Sequence, residues 1–165
     1  MAEKDKIAEK KVKHDGIFNF KETYGFLHTL LTDLGYAVEE KGYGEKTKPE
    51  GKEIDVHWVA KRKISDYFRF ILKIDWLVHM TPVEVVRDGV KIKANKGDIE
   101  IKIIGFLERD YEHKWEATAF LRFLRGVYDR YIIKTTIEGY AEDLISDVNE
   151  MTNQLKAFLV LEAKR

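Results

Sequence analysis

The chain predicts an α+β fold: an antiparallel meander sheet of about six strands, with one N-terminal helix and two C-terminal helices packed on one face. Three observations carry this reading. A 3.6-residue apolar period occupies positions 20–34 and returns after position 114. The stretch between them alternates with a period of two, as half-buried strands do. Its strand-like segments are joined by short turn signals, Ser65 with Asp66 and Asp88 with Gly89, too short for anything but antiparallel neighbours.

The first fifteen positions are mostly charged and predict a tail or a short edge strand around 8–12, with 16–165 forming a single domain. The first helix, 20–34, is well punctuated. Asn19 followed by Glu22 matches a capping box, and Gly35 stands where a left-handed residue ends a helix. Phe20, Tyr24, Leu27, Leu31 and Leu34 form its buried stripe. Positions 36–43 alternate weakly as a strand and lead into a Gly/Pro-rich turn at 44–51.

Two longer strands, 53–63 and 67–80, fold against each other around Ser65 and Asp66. With paired positions summing to about 130, Val56 faces Ile74, Trp58 faces Leu72, Ala60 faces Phe70, and Asp55 lies beside Asp75. Pro82 is expected in a turn. Asp88 with Gly89 is a two-residue hairpin signal, and positions 95–98 (Asn-Lys-Gly-Asp) read as a second turn. That pair of turns aligns Val85, Ile92 and Ile101 on one rung and Glu84, Lys93 and Glu100 on the next.

From Lys114 the period changes again. Trp115, Phe120, Phe123, Leu124, Val127, Tyr128 and Tyr131 crowd a helix whose narrow polar stripe is Thr118, Arg122, Arg125 and Asp129, so the helix should be largely covered. Thr135 and Glu138 suggest the cap of a last helix, 136–162. There Ile137, Ala141, Leu144, Val148, Met151, Leu155 and Phe158 make a seam of coiled-coil spacing, suited to the sheet or to a homodimer. An antiparallel sheet followed by a long C-terminal helix resembles the helix-grip architecture of START and Bet v 1-like lipid-binding proteins. The likeness is in element order alone, without a shared motif: one helix instead of two follows the opening segment, and an extra helix precedes the last. Such a likeness does not establish function.

Composition removes several classes of function. With 44% hydrophobic residues, nine Phe, eight Tyr and three Trp, the 165-residue chain can bury a full core. The absence of cysteine excludes disulfides, thiolate metal sites and thiol catalysis, and fits a reducing compartment. Without a signal-like apolar stretch or a membrane-spanning segment, the expected location is cytoplasmic. The 29 basic and 29 acidic residues cancel, so no global field attracts polyanions. Abundant Lys and Glu with a single Gln, Gln154, is a composition common in thermophilic proteins.

No catalytic motif emerges. His14, His28, His57, His79 and His113 lack metal-ligand spacing, Ser65 and Ser146 lack a nucleophile-elbow context, and the glycines form no phosphate loop. Neither a metal nor a cofactor is expected. The leading expectation is a non-enzymatic binding or interaction protein of otherwise unknown function, holding an apolar small molecule between sheet and C-terminal helix, with Trp58, Phe68, Phe70 and Trp76 lining the sheet side. The alternative is an RNA- or ribosome-associated factor using the basic helix 114–134, through Arg122, Arg125 and Arg130 with Lys114 and Lys134 flanking. A third reading is an acid–base enzyme built on Asp55 and Asp75. A protein partner or a homodimer through helix 136–162 completes the set.

Overall fold

The computed structural model describes residues 3–109, 118–131 and 134–164. Five strands, β1 (Glu3–Phe18), β2 (Ala37–Lys48), β3 (Gly51–Lys63), β4 (Phe68–Arg87) and β5 (Val90–Arg109), accompany three helices, α1 (Phe20–Asp33), α2 (Ala119–Tyr131) and α3 (Lys134–Lys164). The sheet is antiparallel throughout, in the order β1-β5-β4-β3-β2. α1 therefore carries the chain from one sheet edge to the other, and the meander from β2 back to β5 closes against β1.

The α+β expectation holds with five strands, not six. The extra strand came from reading 95–98 as a turn, whereas β5 runs straight through and pairs there with both neighbours, Gly97 lying opposite Gly16 and Met80. Gly97 serves a close backbone approach instead: at φ 157° a Cβ added to it would stand 1.9 Å from the His79 carbonyl oxygen. Ile101 accordingly faces Trp76 and Val12 rather than Val85 or Ile92. Pro82 also sits inside a strand, opposite Asn95. It lies past the last β3–β4 pair, Lys52 with Met80, where β4 has become an edge and a missing N–H is tolerated. The expected turn at 44–51 shrinks to Pro49 and Glu50, because Lys48 already pairs with Gly51.

The Asp88–Gly89 hairpin is as expected. Both residues have positive φ, 52° and 78°, and Val85 faces Ile92 while Glu84 faces Lys93. Between β3 and β4 the register is two residues off: Val56 faces Trp76, Trp58 faces Ile74 and Ala60 faces Leu72. The loop is longer than a tight turn, since Ser65 Oγ accepts from the backbone N–H groups of Tyr67 (3.2 Å) and Phe68 (3.1 Å). An even slip leaves every side chain on its face.

The helices meet the sheet through sequence-encoded stripes. Asn19 Oδ1 accepts from the Glu22 N–H at 3.0 Å, capping α1, and Gly35 at φ 94° ends it. On α3, Leu144, Val148, Met151, Leu155 and Leu159 are all 1% exposed or less, against β1, β5 and α1. Phe158 stacks on Phe26 at 4.3 Å. A homodimer cannot use this seam, because the sheet occupies it. α3 is already helical at Lys134, so Thr135 lies inside the helix and does not cap it. The Tyr36 hydroxyl donates to Asp147 at 2.8 Å and Arg62 approaches the same carboxylate oxygen at 3.2 Å, tying the α1 exit and β3 to α3. No helix among the described residues is long and apolar enough to cross a membrane.

Candidate binding groove

At the β2 edge of the helix-covered face, α1 and β2 border a shallow, open groove of about 380 Å³ lined by Phe20, Lys21, Tyr24, Glu40 and Tyr43. Phe20 and Tyr24 are four residues apart on α1 and share a helical face, their rings 5.8 Å apart. Glu40 and Tyr43 are three apart on a strand and would ordinarily point to opposite sides. A β-bulge between Glu40 and Gly42 changes that. Glu40 lies opposite Trp58 and Tyr43 opposite Val56, both core-facing, so the bulge turns carboxylate and ring to the same side.

The groove has an aromatic floor. Tyr24 packs edge-on against Trp58 at 4.8 Å and lies 5.6 Å from Trp76, which Phe20 meets at 6.0 Å. The Tyr24 hydroxyl donates a hydrogen bond to Glu40 Oε1. Burial, reinforced by that bond, pushes the Tyr24 phenol above its ordinary range, while the Trp58 hydrogen bond opposes the shift. Burial and then the Glu45 and Glu40 charges push Tyr43 the same way. Both phenols are neutral donors at physiological pH, and Tyr43 keeps 49% of its surface exposed.

The four side chains expected to line an interior pocket, Trp58, Phe68, Phe70 and Trp76, are each 2% exposed or less. Trp58 and Trp76 touch each other and back the groove, while Phe68 packs at 5.1 Å against Tyr140 of α3. The sheet thus brings two of the four beneath one surface site, sets Phe68 against α3 and leaves Phe70 buried in the core. The groove's own residues escaped the sequence reading because Phe20 and Tyr24 satisfy a core stripe. One signal was present: Gly42 and Gly44 flank Tyr43 within a strand, a mark of bulges.

α2 differs from its expectation. Thr118 Oγ1 accepts from the Leu121 N–H at 3.1 Å and starts the helix. Phe120 and Phe123, expected to be covered, are 67% and 66% exposed, whereas Arg125, expected on the polar stripe, is 8% exposed. The helix reaches the described body chiefly through α3, which covers only part of its apolar arc. Arg122 and Arg130 remain at the surface and, with Phe123, Gly126 and Val127, line a depression of about 230 Å³. Trp115 and Lys114 lie outside the described residues.

On the open face of the sheet, the two-residue register shift separates the aspartates expected to be adjacent. His57 stands between them, its Nδ1 2.7 Å from Asp75 Oδ1 and its Nε2 3.1 Å from Asp55 Oδ1. The Asp75 hydrogen bond and the Asp55 charge raise the His57 pKa. His79 repeats the pattern between Asp98 (3.1 Å) and Glu53 (3.7 Å). His57, His79, Asp55, Asp75 and Asp98 keep about half of their side-chain surface in solvent, whereas Glu53 keeps 22%. Among the described residues no three His, Asp or Glu side chains are arranged to hold a metal ion. Comparison with protein families, with curated proteins and with solved structures found no match to this chain.

Proposed function

We propose that the protein is a non-enzymatic binding protein that takes its ligand in the groove between α1 and β2. The observation that carries this is the bulge after Glu40, which brings Glu40 and Tyr43 round to join Phe20 and Tyr24 over the Trp58–Trp76 floor. Bulges recur where a strand must re-aim a side chain, and convergent rings with one well-placed polar group make a recognition site. An apolar molecule held deeper, between sheet and α3, requires Phe68 and Phe70 to leave close packing, which favours the surface site.

The reading is tested by titrating isotopically labelled protein with a small set of aromatic, aliphatic and cationic fragments. Chemical-shift changes should cluster on Phe20, Tyr24, Glu40 and Tyr43 and disappear in Tyr43→Ala. Changes elsewhere, or none, would remove the groove from consideration.

A second reading rests on α2. Arginines near exposed rings fit the backbone and bases of single-stranded RNA, and Arg122 and Arg130 line one depression with Phe123. Binding through them should weaken steeply with salt and fall in Arg122→Ala. Salt-independent binding would count against it.

A further inference from the structure

We propose that the groove recognises a methylated ammonium group, as in a small quaternary amine of the choline type. This rests on the groove being the binding site and adds the chemistry of what it holds. The faces and edges of aromatic rings differ in charge, and a cation gains most from several ring faces presented at once. Phe20, Tyr24 and Tyr43 reach the groove from two separate elements, and the rings of the first two are inclined at 53° to each other, so these two do not lie in one plane.

Glu40 supplies the charge. It is the one carboxylate in the lining, it accepts its hydrogen bond from a neutral phenol, and among the described residues it makes no ion pair within 4 Å of a Lys or Arg. Elsewhere on this edge carboxylates are neutralised: Glu45 pairs with Lys52 at 3.0 Å, Glu39 with Lys41 at 2.8 Å and Glu53 with Lys48. Lys21 also lines the rim, but it is exposed, and its long stem lets the ammonium remain in water.

Aromatic walls discriminate among cations by hydration. A bare ammonium must give up strong hydrogen bonds to water on entering, and the rings return none. A methylated ammonium spreads its charge over apolar methyl groups and loses little. A groove of about 380 Å³ exceeds what one such headgroup fills, leaving room for the stem that carries it.

The test compares choline with 3,3-dimethyl-1-butanol, its uncharged isostere, by chemical-shift titration of the full chain. Choline should bind saturably with a Kd on the order of 1 mM, and the isostere at least about tenfold more weakly. Glu40→Gln should weaken choline by about tenfold without changing the isostere. Tyr43→Phe keeps the ring and should retain choline, whereas Tyr43→Ala should lose it, with each variant's thermal transition confirming that it is folded. Equal binding of both compounds would overturn the cation assignment and leave the groove as a binding site. Binding of neither compound, where other fragments still map to the groove, would also overturn the cation alone; no fragment binding at all would overturn both.

Discussion

α2 and α3 carry the same kind of apolar stripe and meet opposite fates. Leu144, Val148, Met151, Leu155 and Leu159 recur on α3 at spacings of four and three and are buried almost completely. Phe120, Phe123 and Val127 recur on α2 at comparable spacing and stay exposed. The difference lies in what each helix meets. α3 lies over β1 and β5 and touches α1, whereas α2 contacts the described body chiefly through α3, and one helix covers only part of another's circumference. A stripe of apolar residues shows that a face is fit to be covered, and the architecture decides whether anything covers it.

The largest effect that would break this comparison belongs to the buried stripe. Leu144→Ala should cost about 2–5 kcal/mol, because Leu144 fills the space over Gly105, where an added Cβ would stand 3.3 Å from the Leu144 Cγ. Denaturant unfolding measures it, and a loss below about 1 kcal/mol would show that α3 is not seated as described. Next, Tyr36→Phe removes the hydroxyl that donates to Asp147 and should cost about 1–2 kcal/mol, leaving Arg62 to hold that carboxylate. If α3 were placed by its apolar seam alone, this variant would unfold with the parent.

The exposed stripe should respond differently. Phe123→Ala is expected to change stability by no more than about 0.5 kcal/mol, read from the same unfolding curves. A cost like that of Leu144→Ala would mean that another surface covers α2 in solution. The smallest effect belongs to the sheet face that neither helix contacts. His57 has a raised folded pKa, so its contribution is complete below the unfolded value of about 6.5 and fades as pH rises through the folded value. Its side chain is 50% exposed, so solvent screening should hold the effect below about 0.5 kcal/mol. Comparing His57→Ala with the parent across that range, alongside an imidazole titration, measures both; a His57 titrating below the ordinary value would show that the aspartate contacts do not persist.

The groove was legible only in fragments. Trp58 and Trp76 stood out as large aromatics on an apolar strand face, yet neither forms the lining; they support it from below. Glu40 and Tyr43 could not be grouped by strand alternation, because the bulge that reorients them is a break in alternation. Arg125 was misplaced for a related reason: a helical wheel orders side chains around an axis without setting the axis against a neighbour.

Local chemistry that the sequence determined by itself includes the α1 cap at Asn19, its end at Gly35, the Asp88–Gly89 hairpin, the α3 seam and the inward face of the β3–β4 pair. These follow from backbone preferences and from periodicities that act over a few residues. Only the tertiary structure decided how far β3 slides along β4, that β5 passes through Gly97 without turning, that His57 parts Asp55 from Asp75, and that α2 leaves its phenylalanines uncovered. Each of these depends on contacts between segments distant in the chain, where one residue type satisfies several arrangements and packing selects among them.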